Sequence, residues 1–281
     1  MQAVTMTDHA NMMGAFHFVR AVKAYNATLS DAIEGEEKEP IKPIIGCEFQ
    51  VCEDMHDRTH KDNGYQIVIL AKNKNGYHNL AKMASKAYTE GFYYMPRVDR
   101  NLVEEYKEDL IVLTGNMYGE VPSKILNLGE NQAEEALLWW KKHFGDDLYV
   151  EVMRHGQEDE NRANEVLVNF ARKHAIKIVA TNNTYYIHKE DANAHDILLC
   201  VKDNEKQATP IGRGRGYRYG LPNQEYYYKS GQEMKELFKD LPEAILNVQE
   251  VVDKVEAYEL ARDVLLPAFD IPEQVVDSND A

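Results

Sequence analysis

The feature that most constrains this chain is an alternation of strand-like and helix-like segments that runs to about residue 202. Six apolar segments have the character of buried strands, and they span residues 3–7, 42–52, 64–73, 109–115, 147–153 and 176–182. Amphipathic helical spacing follows several of them, as in NQAEEALLWWKKHF and EDENRANEVLVNFARKH. This order is typical of a parallel sheet covered by helices. Because no glycine-rich turn follows the first strand, the pattern favours a closed or nearly closed β/α barrel over a dinucleotide-binding sheet.

The alternation stops near residue 203, which divides the chain into three predicted parts. Residues 1–202 form the predicted barrel. Residues 203–267 begin with a loop rich in glycine, arginine and tyrosine and continue with two helices, at about 231–241 and 242–256. Residues 268–281 end in polar residues and are typical of a linker.

Composition limits the classes of partner. The net charge of −15 disfavours duplex DNA as a partner for most of the surface, but it does not exclude a local basic patch. The three cysteines form no CxxC pair, so they indicate reduced thiols in the cytoplasm. There is no apolar run of about 18 residues and no signal-peptide pattern, so we expect no membrane partner.

Polar residues stand where four of the predicted strands end. Asp8 and His9 follow the first strand, Glu48 lies in the second, and His155 follows the fifth. Asn182 and Asn183 stand at the end of the sixth. The carboxyl ends of parallel strands in a barrel meet at one face, so these side chains are expected to converge. Carboxylates and imidazoles together are typical ligands of zinc, manganese or iron.

Each of these residues also has a structural interpretation, and the two stay open side by side. Asp8 is placed to cap a helix beginning at residue 10. Glu48 fits an outward-facing charge on its strand, and His155 fits an ordinary hydrogen-bonded histidine. Only the recurrence of such residues at several strand ends favours a metal site.

The loop GRGRGYRYG has two interpretations as well. Arg213, Arg215 and Arg218 are candidates for contact with nucleic-acid phosphates, with Tyr217 and Tyr219 stacking on bases. Alternatively, the arginines pair with acidic groups of the same protein. The acidic composition of the chain favours the second interpretation.

Several motifs together carry a family resemblance: TDHANMMGAF, KPIIGCEF, LAKNKNGYHNLAKMASKAY, VATNNTYYIHKEDANAHDILLCV and GQEMKELFKDLPEAILN. The chain resembles the polymerase-and-histidinol-phosphatase (PHP) domain of bacterial replicative DNA polymerase III alpha subunits, especially the form found in Bacteroidetes. The resemblance covers essentially the whole chain. It implies a distorted seven-stranded β/α barrel that binds up to three metals through about nine ligands. Two of those ligands form an H-x-H motif on the first strand, which this sequence lacks, so we expect an N-terminally truncated barrel without its first strand.

The resemblance also implies which ligands this chain keeps. Four residues match family ligands: Asp8, His9, Glu48 and His155. Three residues replace a histidine, an aspartate and a histidine of the family pattern: Gln66, Asn183 and Tyr185. An amide or a phenol is a poor replacement for these groups at zinc. We therefore expect a degenerate site with no tightly bound metal.

The family's function sets two expectations. The parent protein would be a DNA-directed DNA polymerase, a nucleotidyltransferase of DNA replication, whose palm aspartates are absent from residues 1–281. In the first hypothesis this fragment is a structural and interaction module without polymerase activity of its own. Its partners are the polymerase core of the same parent chain, the proofreading exonuclease subunit and, through the parent, primer–template DNA. In the second hypothesis the four retained ligands make it a zinc- or manganese-dependent phosphoesterase or 3′–5′ exonuclease.

Overall fold

The computed structural model describes residues 1–29, 39–212 and 214–261, and it contains one curled sheet with helices packed on it. The strands are β1 (Ala3–His9), β2 (Lys42–Cys52), β3 (Tyr65–Ala71), β4 (Val98–Asp99), β5 (Leu110–Leu113), β6 (Leu148–Val152) and β7 (Lys177–Ala180). The helices are α1 (Ala15–Thr28), α2 (Lys74–Thr89), α3 (Arg100–Glu105), α4 (Glu120–Asn127), α5 (Glu130–Phe144), α6 (Glu158–Lys173), α7 (Ala192–Asp203), α8 (Gly231–Leu237) and α9 (Pro242–Lys254). All six predicted strands are present. The predicted linker, residues 268–281, lies outside the described residues.

The strand order is β1-β2-β3-β5-β6-β7, with the short β4 beside β2. Five strands of this path run in one direction, whereas β3 is antiparallel to both of its neighbours. The expectation of an entirely parallel sheet was therefore wrong for β3. Residues 53–64 connect β2 to β3 without a helix, so the chain returns beside the strand it has just left.

The sheet is an open half-barrel within the described residues. Strands β1 and β7 are the two ends of the strand order, and residues of both line one cleft, so the two edges face each other. This arrangement confirms the predicted PHP-like β/α barrel fold.

Two apolar layers hold the half-barrel together. The outer face of the sheet packs against α2, α5 and α6 around Leu80, Trp140 and Leu167. The inner face contributes a second cluster that includes Val68 and Tyr149. Apolar surface is therefore buried on both faces of the sheet.

Helix α9 covers part of the inner face. Its Val251 packs in the inner cluster, and Val255 follows it there. Lys42 Nζ, at the start of β2, donates to the carbonyl oxygens of Val252 and Val255 at 2.9 and 2.8 Å. The C-terminal end of α9 is thereby attached to the end of the half-barrel opposite the candidate site. No helix of the described segments is long and apolar enough to cross a membrane.

Candidate functional site

Three of the retained residues meet at the predicted end of the sheet. Asp8 and His9 are the last residues of β1, and His9 lies opposite Glu48 in the register of β1 with β2. All three line a cleft of about 600 Å³ between β1 and β7, and Asn183 and Tyr185 line the same cleft from the segment after β7. The prediction that strand ends bring these side chains together agrees with this geometry.

His9 and Glu48 form an ion pair in this cleft. His9 Nδ1 lies 2.7 Å from Glu48 Oε1, and His9 Nε2 lies 3.3 Å from the side-chain nitrogen of Gln50. The hydrogen bond to Glu48 raises the pKa of His9, although His9 remains largely exposed. Glu48 therefore has a partner on the protein and does not simply face outward.

Asp8 does not act as the helix cap that its sequence position suggested. Helix α1 begins at Ala15, not at residue 10. Its N-cap residue is Gly14, which has no side chain to accept a capping hydrogen bond. Ala10 adopts the left-handed conformation, with φ of 51°, and this residue separates β1 from the helix. A Cβ atom added to Gly14 would lie 2.9 Å from Asp8 Oδ2, so Asp8 packs against this turn.

His155 is buried and occupied by other contacts. Its Nδ1 lies 2.7 Å from Glu160 Oε1, and its Nε2 lies 2.8 Å from the carbonyl oxygen of Asn182. The ring stacks on Tyr226 with centroids 4.1 Å apart and an angle of 6° between the planes. The structure thus places His155 in a neighbouring cleft, with both ring nitrogens bonded to groups of the protein.

The substituted positions also have identifiable local roles. Gln66 in β3 lies opposite Gln50 in β2, and its buried side-chain oxygen has no hydrogen-bond partner among the described residues. Asn183 has φ of 44°, a left-handed conformation that asparagine tolerates better than most residues. Burial raises the pKa of the Tyr185 hydroxyl, so Tyr185 stays neutral in the physiological range.

Glu151 is a buried residue of this cleft that the sequence interpretation missed. It lies in β6, is 4% exposed, and accepts a hydrogen bond of 2.6 Å from Thr181 Oγ1 on its Oε1. Within the described part of the chain its Oε2 has no hydrogen-bond partner, and burial raises the pKa of Glu151 to about 7. The available signal was a single charge inside the apolar run LYVEV, because an ionisable residue in a buried strand is rare without a partner or a function.

The side chains as they stand do not fit the nine-ligand metal cluster that the resemblance implied. Across residues 1–29, 39–212 and 214–261, no three histidine, cysteine, aspartate or glutamate side chains are arranged to hold a metal ion. His155 would have to break a contact to offer a lone pair to a metal. Gln66, Asn183 and Tyr185 supply weaker donors at the remaining positions.

The arginine-rich loop separates into residues with different environments. Arg218 is buried and makes a two-point ion pair with Asp196, at 2.6 and 2.9 Å, and its Nε donates to the carbonyl oxygen of Thr209. Arg218 therefore holds the loop onto α7, a pairing of the kind that the second interpretation of this loop describes. Arg215 is exposed, and Arg213 lies outside the described residues. Tyr217 and Tyr219 are about half exposed and line the neighbouring cleft of about 650 Å³.

Comparison with known proteins agrees with this geometry. The family model described as the PHP domain matches residues 1–155. The DNA polymerase III subunit alpha of Borreliella burgdorferi is 35% identical over 277 residues, which is 97% of this chain and 22% of that protein. The subunit of the same name from Thermus aquaticus is 36% identical over 95% of this chain and 20% of its own length. That of Campylobacter jejuni is 36% identical over 90% of this chain and 20% of its own length.

The chain thus spans about a fifth of the length of the curated relatives it matches. The family match covers more than half of the chain, and the curled sheet agrees with the fold that the resemblance implied. The chain belongs to the PHP domain family.

Proposed function

We propose that this chain is the PHP domain of a replicative DNA-directed DNA polymerase and serves it as a structural and interaction module. The relatives that share about 35% of its residues are polymerase subunits several times longer. The observation that carries the proposal is the weakened donor set, with Gln66, Asn183 and Tyr185 at family ligand positions. With a weakened donor set, the domain offers the polymerase its shape and its surface and not metal chemistry.

The partners in this proposal are the polymerase core of the same parent chain, the proofreading exonuclease subunit and, through the parent, primer–template DNA. The module works in the cytoplasm, without a tightly bound metal. One surface supports a role in docking: helix α7 exposes Ile197, Leu198 and Val201 by 45%, 63% and 73%. A contiguous group of large apolar side chains on a helix is typical of a protein contact.

Primer extension tests the absence of polymerase chemistry. The purified chain is incubated with a primed template, all four deoxynucleoside triphosphates and magnesium. We expect no extension above a mock purification from cells that lack the gene. Extension that co-purifies with the chain through successive columns would contradict the proposal.

Binding tests the interaction role. The chain is immobilised and exposed to the separately expressed polymerase core of its parent. The double change Leu198→Asp and Val201→Asp is expected to weaken binding by tenfold or more, because it places charge in the apolar contact. Leu128→Asp, at a similarly exposed leucine beyond α4, serves as the matched control and is expected to bind normally. Equal binding by all three proteins would exclude α7 as the contact.

A second candidate, a metal-dependent phosphoesterase or 3′–5′ exonuclease, is favoured by one observation: Asp8, His9 and Glu48 line a single cleft with the buried Glu151. The test is release of nucleotides from a 3′-labelled single strand with zinc or manganese added. Degradation by the natural chain that is lost in Glu48→Gln, purified in parallel, would favour this candidate over the structural module.

A further inference from the structure

Three separate segments meet around His155. The first is the turn between β6 and α6, which contains His155 itself. The second follows β7 and contains Asn182, and the third is the loop that contains Asn223 and Tyr226. None of these segments is a helix or strand where it meets the others, so their arrangement depends on side-chain contacts.

Every polar group of His155 has a partner, either in helix α6 or in the second and third segments. Its backbone nitrogen donates to Glu160 Oε2, and its ring Nδ1 lies 2.7 Å from Glu160 Oε1. Its Nε2 donates to the carbonyl oxygen of Asn182 at 2.8 Å, and its own carbonyl oxygen accepts from the side chain of Asn223. The flat stack on Tyr226 covers one face of the ring.

The neighbours of His155 continue this network. Asn182 donates from its side chain to the carbonyl oxygen of Tyr227 at 2.7 Å, and it accepts from Lys229 Nζ at 3.0 Å. The amide of Tyr185 donates to the carbonyl oxygen of Tyr226 at 2.9 Å. The segment after β7 is therefore tied to the third loop through both its side chains and its backbone.

The chemistry of the ring contacts conflicts with metal binding. A metal takes the lone pair of an imidazole nitrogen, and the other nitrogen commonly donates to a neighbouring oxygen. Here both ring nitrogens face oxygen atoms of the protein at hydrogen-bond distance, and the side chain is 2% exposed. To coordinate a metal, His155 would have to release either Glu160 or the carbonyl oxygen of Asn182.

We propose that His155, which the family resemblance marks as a metal ligand, serves in this chain as a structural clamp between these three segments. The inference rests on the proposed structural function, which it deepens by naming what replaces the metal. The clamp keeps Asn183 and Tyr185 in place at the strand ends and holds the three segments together without a metal.

Hydrogen–deuterium exchange of the whole chain tests the clamp. In His155→Ala, the amides of Tyr185 and Tyr228, both hydrogen-bonded between the second and third segments, are expected to exchange at least tenfold faster. His17→Ala is the matched control, because His17 is an exposed histidine of helix α1 outside the candidate site, and it is expected to leave these amides protected. His155→Gln, which keeps a donor for Asn182, is expected to restore part of the protection.

The natural chain gives a test that does not depend on any variant folding. Exchange is compared before and after dialysis against EDTA, and again after zinc is added back. The proposal expects identical protection in all three states. Protection that falls with EDTA and returns with zinc would overturn the clamp, because a metal would then order these loops. Unchanged exchange in His155→Ala would also overturn it, and neither result depends on whether the chain binds a polymerase core.

Discussion

Glu151 brings a carboxyl group into the half-barrel, where burial raises its pKa to about 7. An acid with a higher pKa in the folded chain than in the unfolded chain holds its proton more tightly when folded. The free energy of unfolding therefore falls as pH rises from about 4.5, the ordinary pKa of glutamate, to about 7. Above this window, ionisation of Glu151 costs the folded state on the order of 3 kcal/mol.

Replacement of Glu151 by glutamine should remove this cost. The amide oxygen of Gln still accepts from Thr181, and no charge forms at high pH. We expect Glu151→Gln to melt at a higher temperature than the natural chain at pH 8 and at a similar temperature near pH 4.5. Thermal unfolding across this pH range measures the difference. Glu165→Gln, at an exposed glutamate of α6, is the control, and an equal pH dependence in all three proteins would contradict the assignment.

At the scale of residues, the sequence predicts the part of the site that depends on strand ends. Asp8 and His9 end β1, and Glu48 meets them because the register of β1 with β2 places it opposite His9. The contacts of His155 could not be predicted, because Asn182 and Tyr226 are far from it in sequence and reach it through irregular loops. Such loops have no periodicity from which contacts can be read.

At the scale of elements, six of the seven strands in the described residues could be predicted, whereas the two-residue β4 and the direction of β3 could not. An apolar run looks the same in either direction, and direction depends on the connection that precedes it. The fully buried Arg97, just before β4, donates to the carbonyl oxygens of three residues in the connection from β2 to β3: Met55, Asp57 and Asp62. A long-range tie of this kind is not visible in the sequence pattern.

Helix α9 provides a prediction at this scale. Val251 is 8% exposed and packs in the inner cluster, so Val251→Ala should leave a cavity and lower the free energy of unfolding by about 1–3 kcal/mol. Denaturation in urea measures the change. Val248→Ala in the same helix, at a side chain that is 38% exposed, should cost much less. Equal costs would mean that α9 does not help to fill the half-barrel.

At the scale of the whole molecule, we expect less than one tightly bound transition metal per chain. The reason is the substituted donors Gln66, Asn183 and Tyr185, together with the occupied ring of His155. Elemental analysis after extensive dialysis measures the content, with Glu48→Gln analysed beside the natural chain. Two or three metals per chain, lost in Glu48→Gln, would mean that Gln66, Asn183 and Tyr185 do not stand at the family's ligand positions.

The fold class could be predicted at this scale because the alternation of buried strands and amphipathic helices allows few architectures. The path of the chain after the barrel could not. The two helices near the C-terminal end were predicted, but not that one of them lies against the inner face of the sheet. The proposed division at residue 202 stays a prediction.

The attachment of α9 to the start of β2 has a consequence for synthesis of the protein. The contacts of Lys42 with Val252 and Val255 join residues separated by more than 200 positions. Contacts between residues so far apart in sequence form late and slow folding. The interior of the half-barrel thus stays partly uncovered on the ribosome until α9 has emerged, although every strand is already made. During this interval the nascent chain exposes apolar surface and strand edges, which is the condition in which chaperones bind and misfolding begins.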